Sequence, residues 1–204
     1  CGVPGAGKTQ LCLQLCAAAQ IQDGVADISG AVFVDAEGSF IPTRYAQIAG
    51  ALLAERRQAA GERGLEEVMR RMHVCRAYDA TELYATIKQL GGFLRSRPHV
   101  RALVVDSLAF SFRHEFADNQ PQRARVLLDI AATLRRYGKD HNLVVAVTNH
   151  MTTRFDRGDA SGETSYLVPA LGETWAHQPS TQLRLERLAD AAPARAARVV
   201  AAAT

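Results

Sequence analysis

Lysine is almost missing from this chain. Of 24 basic side chains only three, Lys8, Lys88 and Lys139, are lysines, and the rest are arginines. A lysine inside a glycine-rich loop is therefore conspicuous. Cysteine is scarce as well: Cys1, Cys12, Cys16 and Cys75 show none of the paired spacings that hold zinc. Cys12 and Cys16 stand four apart, where two buried free thiols on one helix are the plain reading. Such usage suits a reducing compartment, cytosol or nucleus. No stretch approaches the roughly 18 apolar residues of a membrane span, and no secretory leader is visible. Nor does charge of one sign dominate. A net charge of +3 permits a nucleic-acid partner without demanding one. What is present, 204 residues of which 48% are hydrophobic, is enough to bury one sizeable core, and the expectation is a single domain over 1–204.

Apolar runs alternate with helical patterns. Ala31-Val32-Phe33-Val34, Met72-His73-Val74-Cys75, Ala102-Leu103-Val104-Val105 and Leu143-Val144-Val145-Ala146-Val147 read as strands. Continuous runs of this length suit parallel strands covered on both faces. Between them, Asp79-Ala80-Thr81-Glu82 resembles a capping box, followed by Leu83, Ile87, Leu90 and Leu94 on one face. A second helix carries Leu127, Ile130, Ala131, Leu134 and Tyr137, and a third begins near Pro42 and runs to about Gln58, before a turn over 61–64. The alternation predicts an α/β fold, a mostly parallel twisted sheet with helices on both faces. Residues 182–188, "QLRLERL", alternate strictly, and a weaker strand follows near 198–201, so antiparallel strands are expected at one edge. Two segments, 107–120 and 151–166, lack either pattern and read as functional loops.

The opening residues carry the chemistry. Gly2-Val3-Pro4-Gly5-Ala6-Gly7-Lys8-Thr9 satisfies the phosphate-binding pattern G-x-x-x-x-G-K-[ST]. The glycines let backbone N–H groups curl inward onto phosphate oxygens. Lys8 brings a mobile cation to the β- and γ-phosphates, and the Thr9 hydroxyl is suited to Mg²⁺. Gln10 opens a run of good helix formers whose N-terminus also attracts anions. A second acid for the magnesium comes from "RALVVDS", where four apolar residues end in Asp106 at the carboxyl edge of the sheet. Ser107, not an acid, follows it, so the water-orienting base must lie elsewhere. "AVFVDAEGSF" ends another strand with Asp35 and Glu37; Glu37 is the candidate base, and Asp35 the structural member of the pair. Because the chain opens on Cys1 with no strand ahead of the loop, a longer protein is expected.

Taken together, the phosphate loop, "VFVDAEGSF", "FSFRHEF", "VTNHMTTRFDR" and "LVPALGETWAH" resemble the RecA-type recombinases, the eukaryotic strand-exchange recombinase and its paralogues, with the detail nearest the C-paralogue branch. The likeness covers residue 1 to about 188 and is weakest at 51–71 and beyond 188. It implies a RecA-like P-loop core from which the family's N-terminal helical domain and linker are absent. It implies ATP and Mg²⁺ as ligands, Arg44 stacked on the adenine, and the two patternless segments as DNA-facing loops. The first holds Phe110, Phe112, Arg113, His114 and Phe116, and the second Arg154 and Arg157. Aromatics interleaved with cations suit single strands; phenylalanines packed inward beside solvated arginines are the other reading. The family places Gln after Thr-Asn to sense the γ-phosphate. Here His150 stands there, and its charge varies near neutral pH, which implies slow or differently gated hydrolysis with ATP binding retained.

The expected function is a DNA-dependent ATP hydrolase of homologous recombination and double-strand-break repair, acting in the nucleus. Related paralogue subunits and single-stranded DNA or a recombinase filament are its expected partners. An ATP-clamped assembly subunit with little turnover is the alternative. A hexameric helicase of the same superfamily shares the loop chemistry but fits "GETWAH" less well.

Overall fold

A computed structural model describes residues 1–22, 28–56, 61–114, 119–156, 164–187 and 195–202. Helix α1 (Lys8–Gln20) leaves the phosphate loop directly and is followed by strand β1 (Gly30–Asp35), helices α2 (Pro42–Glu55) and α3 (Gly61–Arg70), strand β2 (Met72–Arg76) and helix α4 (Ala80–Arg95). Strand β3 (Val100–Asp106), helices α5 (Leu108–His114) and α6 (Gln120–His141) and strand β4 (Val144–Val147) complete the α/β alternation. Then come strands β5 (Met151–Asp156) and β6 (Thr164–Pro169), the short helix α7 (Glu173–Ala176), and strands β7 (Thr181–Arg187) and β8 (Arg195–Ala202).

Four strands pair in the order β2-β1-β3-β4, all parallel. The apolar runs are explained by cover on both faces. Ala31, Phe33, Ala102 and Val104 pack with Cys12, Leu13, Cys16 and Ala17 of α1 and with Tyr45 and Ala49 of α2. Val32, Val34, Leu103 and Val105 face the other way, onto α4, α5 and α6. Full burial of each such Val or Leu stabilises by about 1.5–3 kcal/mol. The cover is fullest for the central pair: every residue of β1 and all but Arg101 of β3 are buried, whereas Val144 of β4 is 51% exposed. The edge strands share the apolar character of the centre without its surroundings.

The helix signals are found in place. The Asp79 carboxylate accepts from Glu82 N–H at 2.7 Å, and the Glu82 carboxylate reaches back to Tyr78 N–H at 2.9 Å. Leu83, Ile87, Leu90 and Leu94 are buried, as are Leu127, Ile130, Ala131, Leu134 and Tyr137.

Four expectations need correction. Residues 61–64 open α3 and are not a turn: Val68 is fully buried and Glu67 pairs with Arg70 and Arg71, so packing overrides two glycines. Helix α2 ends at Glu55 with Arg56 as its cap, and Gln58 lies outside the described residues. Within the described residues, the patternless segments are largely regular. Leu108 and Phe112, one turn apart, are buried and fold 108–114 as α5, while β5 and β6 pair antiparallel from Met151–Pro169 to Asp156–Thr164. A seven-residue helix and a two-stranded ribbon are both too small to impose a long hydrophobic period on the sequence. Strands β7 and β8 pair antiparallel as expected but form a sheet of their own.

Candidate nucleotide site

Gly2 joins the two parts of the structure. It makes one parallel bridge to His150, beyond the end of β4, and another to Leu185 of β7. A Cβ on it would lie 2.8 Å from the Leu185 carbonyl oxygen, so only glycine fits. The loop then folds over residues 3–6, Ala6 N–H donating to the Val3 carbonyl at 3.1 Å. Gly7, at φ 99°, is the N-cap of α1 and enters it from the left-handed region. The whole turn sits at the helix N-terminus, where unpaired N–H groups favour an anion.

Lys8 curls back over the loop, its Nζ donating to the carbonyls of Gly2 (3.0 Å) and Val3 (3.2 Å). Burial lowers its pKa from the ordinary lysine value, against the opposing pull of Glu37 and Asp106. Two neutral carbonyls are weak company for an ammonium group, and phosphate oxygens would replace them favourably.

Asp106, only 2% exposed, is the focus of the hydroxyl chemistry. Thr9 Oγ1 donates to its Oδ2 at 2.6 Å and Ser39 Oγ to the same oxygen at 3.1 Å, while Thr148 Oγ1 donates to Oδ1. A carboxylate and a hydroxyl at the head of α1 are the hard oxygen donors that Mg²⁺ takes alongside water and phosphate. The residues present therefore fit that ion.

The turn after β1 separates two acids. Asp35 Oδ1 accepts from the N–H groups of Glu37, Gly38 and Ser39 at 3.2, 2.8 and 3.0 Å, and Arg76 lies 3.1 Å from Oδ2. It braces the turn. Glu37 instead projects across the crevice: its Oε1 lies 2.6 Å from His150 Nε2 and accepts from Ser107 Oγ. Burial would raise the Glu37 pKa, but the hydrogen bonds from His150 and Ser107, with the charges of His150 and Lys8, outweigh it and leave the carboxyl below its ordinary value. Arg44, on the first turn of α2, donates from Nε to Gln10 Oε1 at 2.7 Å and from Nη1 to Gln47 at 3.1 Å, which ties it beside the start of α1.

Lys8, Thr9, Glu37, Asp106 and His150 thus share one crevice at the carboxyl ends of β1, β3 and β4. The candidate DNA-facing residues are less concentrated. Arg154 is exposed on β5, opposite Tyr166 of β6. Arg113 belongs to α5 but its side chain, like Arg157 and Phe116, lies outside the described residues. Phe112 is buried and Phe110 is 45% exposed, so the two rings point opposite ways. Sequence reasoning missed Ser39, Thr148 and Ser107. Their only signal was position: each hydroxyl stands within four residues of a strand's carboxyl end.

This geometry can be set beside known proteins. A family model described as Rad51 matches residues 2–203. The chain belongs to the Rad51 family. Within it, this Rad51-family chain is 36% identical over 196 residues to DNA repair protein RAD51 homolog 3 of Cricetulus griseus, covering 90% of this chain and 52% of that protein. It is 33% identical over 187 residues to RAD51 homolog 3 of Dictyostelium discoideum, with 87% and 48% covered. DNA repair protein XRCC3 of Mus musculus is 33% identical over 198 residues, with 91% and 56% covered. The chain spans about half the length of the curated relatives it matches. The RecA-like fold and the likeness to the recombinase paralogues stand on these matches.

Proposed function

We propose that this chain is the ATP-binding core of a Mg²⁺-dependent, DNA-stimulated ATPase that serves homologous recombination and double-strand-break repair as a subunit of a paralogue complex in the nucleus. The observation that carries this reading is the meeting of Lys8, the Thr9–Asp106 pair and Glu37 at the head of α1. The loop of Gly2, Val3, Pro4, Gly5, Ala6 and Gly7 cradles the phosphates with backbone N–H groups, and Lys8 exchanges its two carbonyl partners for β- and γ-phosphate oxygens. Thr9 and Asp106 hold Mg²⁺, which when bound neutralises phosphate charge. Glu37 orients the attacking water as general base, His150 contacts the γ-phosphate, and Gln10 and Arg44 flank the adenine. Arg113, Arg154 and Arg157 face single-stranded DNA. The relatives' names, a RAD51 homolog and XRCC3, each described as a DNA repair protein, support the choice of process and of related subunits as partners.

A second reading has its own observation. Glu37 is engaged by His150 and Ser107, which suits an ATP-clamped assembly subunit with little turnover. Phosphate release from Mg²⁺–ATP by the intact protein, with and without single-stranded DNA, separates the two. DNA-stimulated release that disappears in Glu37→Gln supports the hydrolase. Tight ATP binding with no release in either condition overturns it in favour of the clamp.

A further inference from the structure

Ser107 has no part in the nucleotide chemistry described so far, yet it touches more of the crevice than any neighbour of Asp106 requires. It is fully buried at the end of β3. Its Oγ donates to Glu37 Oε1, lies 3.2 Å from His150 Nε2 and accepts the Phe110 N–H at 3.2 Å. A hydroxyl has one proton and two lone pairs. A carboxylate below its ordinary pKa only accepts, so the proton goes to Glu37. Both lone pairs then face Phe110 N–H and His150, and Nε2 must carry a proton to serve Glu37 at 2.6 Å. One hydroxyl thereby sets the direction of the carboxylate and offers the Nε2 proton a second acceptor. It also ties both to the first turn of α5.

We infer that Ser107 is a positioning residue for Glu37: its hydroxyl aims the carboxylate at the water site. This rests on Glu37 being the base. Lys8, Thr9 and the Asp106 carboxylate keep their own partners, so ATP and Mg²⁺ binding does not depend on the Ser107 hydroxyl. Without it, Glu37 keeps only His150 within this cluster, and Phe110 N–H loses its acceptor. The carboxylate follows the imidazole instead of the strand.

The test is Ser107→Ala beside Ser107→Thr, read as kcat and KM for Mg²⁺–ATP. Loss of one hydrogen bond to a charged group predicts a kcat lower by about tenfold or more in Ser107→Ala, with KM within about twofold, and recovery of most of the rate in Ser107→Thr. A structural role alone would lower ATP affinity and rate together. Turnover by Ser107→Ala within about twofold of the parent overturns the inference. Should the parent itself release no phosphate, the ATPase reading fails separately, and the inference is judged on the ¹⁵N-imidazole resonance of His150 with Mg²⁺ and a non-hydrolysable ATP analogue. A shifted Nε2 resonance in Ser107→Ala supports the role of the hydroxyl, and an unchanged one overturns it.

Discussion

The floor of the crevice and its rim treat their acids in opposite ways. On the floor, Asp35 is fastened to four consecutive backbone N–H groups and to Arg76, and Asp106 takes hydroxyls from Thr9, Ser39 and Thr148. Both are buried, and their partners come from the turn after β1, the ends of β2 and β4 and the start of α1. On the rim, Glu37 and Lys8 are half-buried and held by contacts that phosphate or water can replace. Floor acids are held by several fixed partners and are therefore rigid, although Asp106, with three hydroxyls on about four lone-pair sites, keeps room for a metal ion. Rim groups are underemployed, which is the condition for doing chemistry on something that arrives.

That contrast can be broken at either end. The largest effect belongs to Glu37→Gln: turnover should fall on the order of 10²–10⁴-fold, the span of general base catalysis, while ATP affinity from calorimetry stays near the parent value. Equal losses in both would place Glu37 with the floor. Lys8→Ala should weaken ATP binding by roughly 100-fold, the loss of two charge-assisted hydrogen bonds, with little change in melting temperature. Asp35→Ala should do the reverse. Stripping an acceptor from the β1 turn and a partner from Arg76 costs about 3 kcal/mol of folding stability in urea, and binding suffers only as the fold does. The smallest effect is on acid stability. Because Glu37 is held below its ordinary pKa, its contacts stabilise the fold above the ordinary glutamate value and are lost as pH falls through the folded one. Stability of the parent and of Glu37→Gln, compared by denaturation from neutral to acidic pH, should converge at the acid end. A gap that persists there would mean the contacts do not involve the ionised carboxylate.

The floor was partly legible from the sequence and the rim less so. Asp106 announces itself because four apolar residues precede it, and β1 and β3 read as buried because they are covered on both faces. The proposed phosphate loop is legible because its pattern is local, eight consecutive residues. The hydroxyls are another matter. Thr9, Ser39 and Thr148 reach Asp106 from 97, 67 and 42 positions away, and no local pattern marks a serine or threonine as one of such a set. The Glu37–His150 contact is equally non-local. Helix α5 and the β5–β6 ribbon are illegible for a different reason: each is too short to leave a period. In α3 the opposite holds: Gly61 and Gly64 signal a turn locally, and the burial of Val68 overrides them.

Gly2 opens the phosphate loop, and the same residue is bonded edgewise to His150 on one side and Leu185 on the other, with Leu185 N–H donating to the Cys1 carbonyl at 2.9 Å. Thermodynamic linkage makes that arrangement reciprocal. Any partner that grips the β7–β8 ribbon differently in the two nucleotide states must alter ATP affinity, and ATP must alter the grip by the same factor. The loop residue that can bear no side chain is thus the point at which the β7–β8 ribbon meets the proposed triphosphate site.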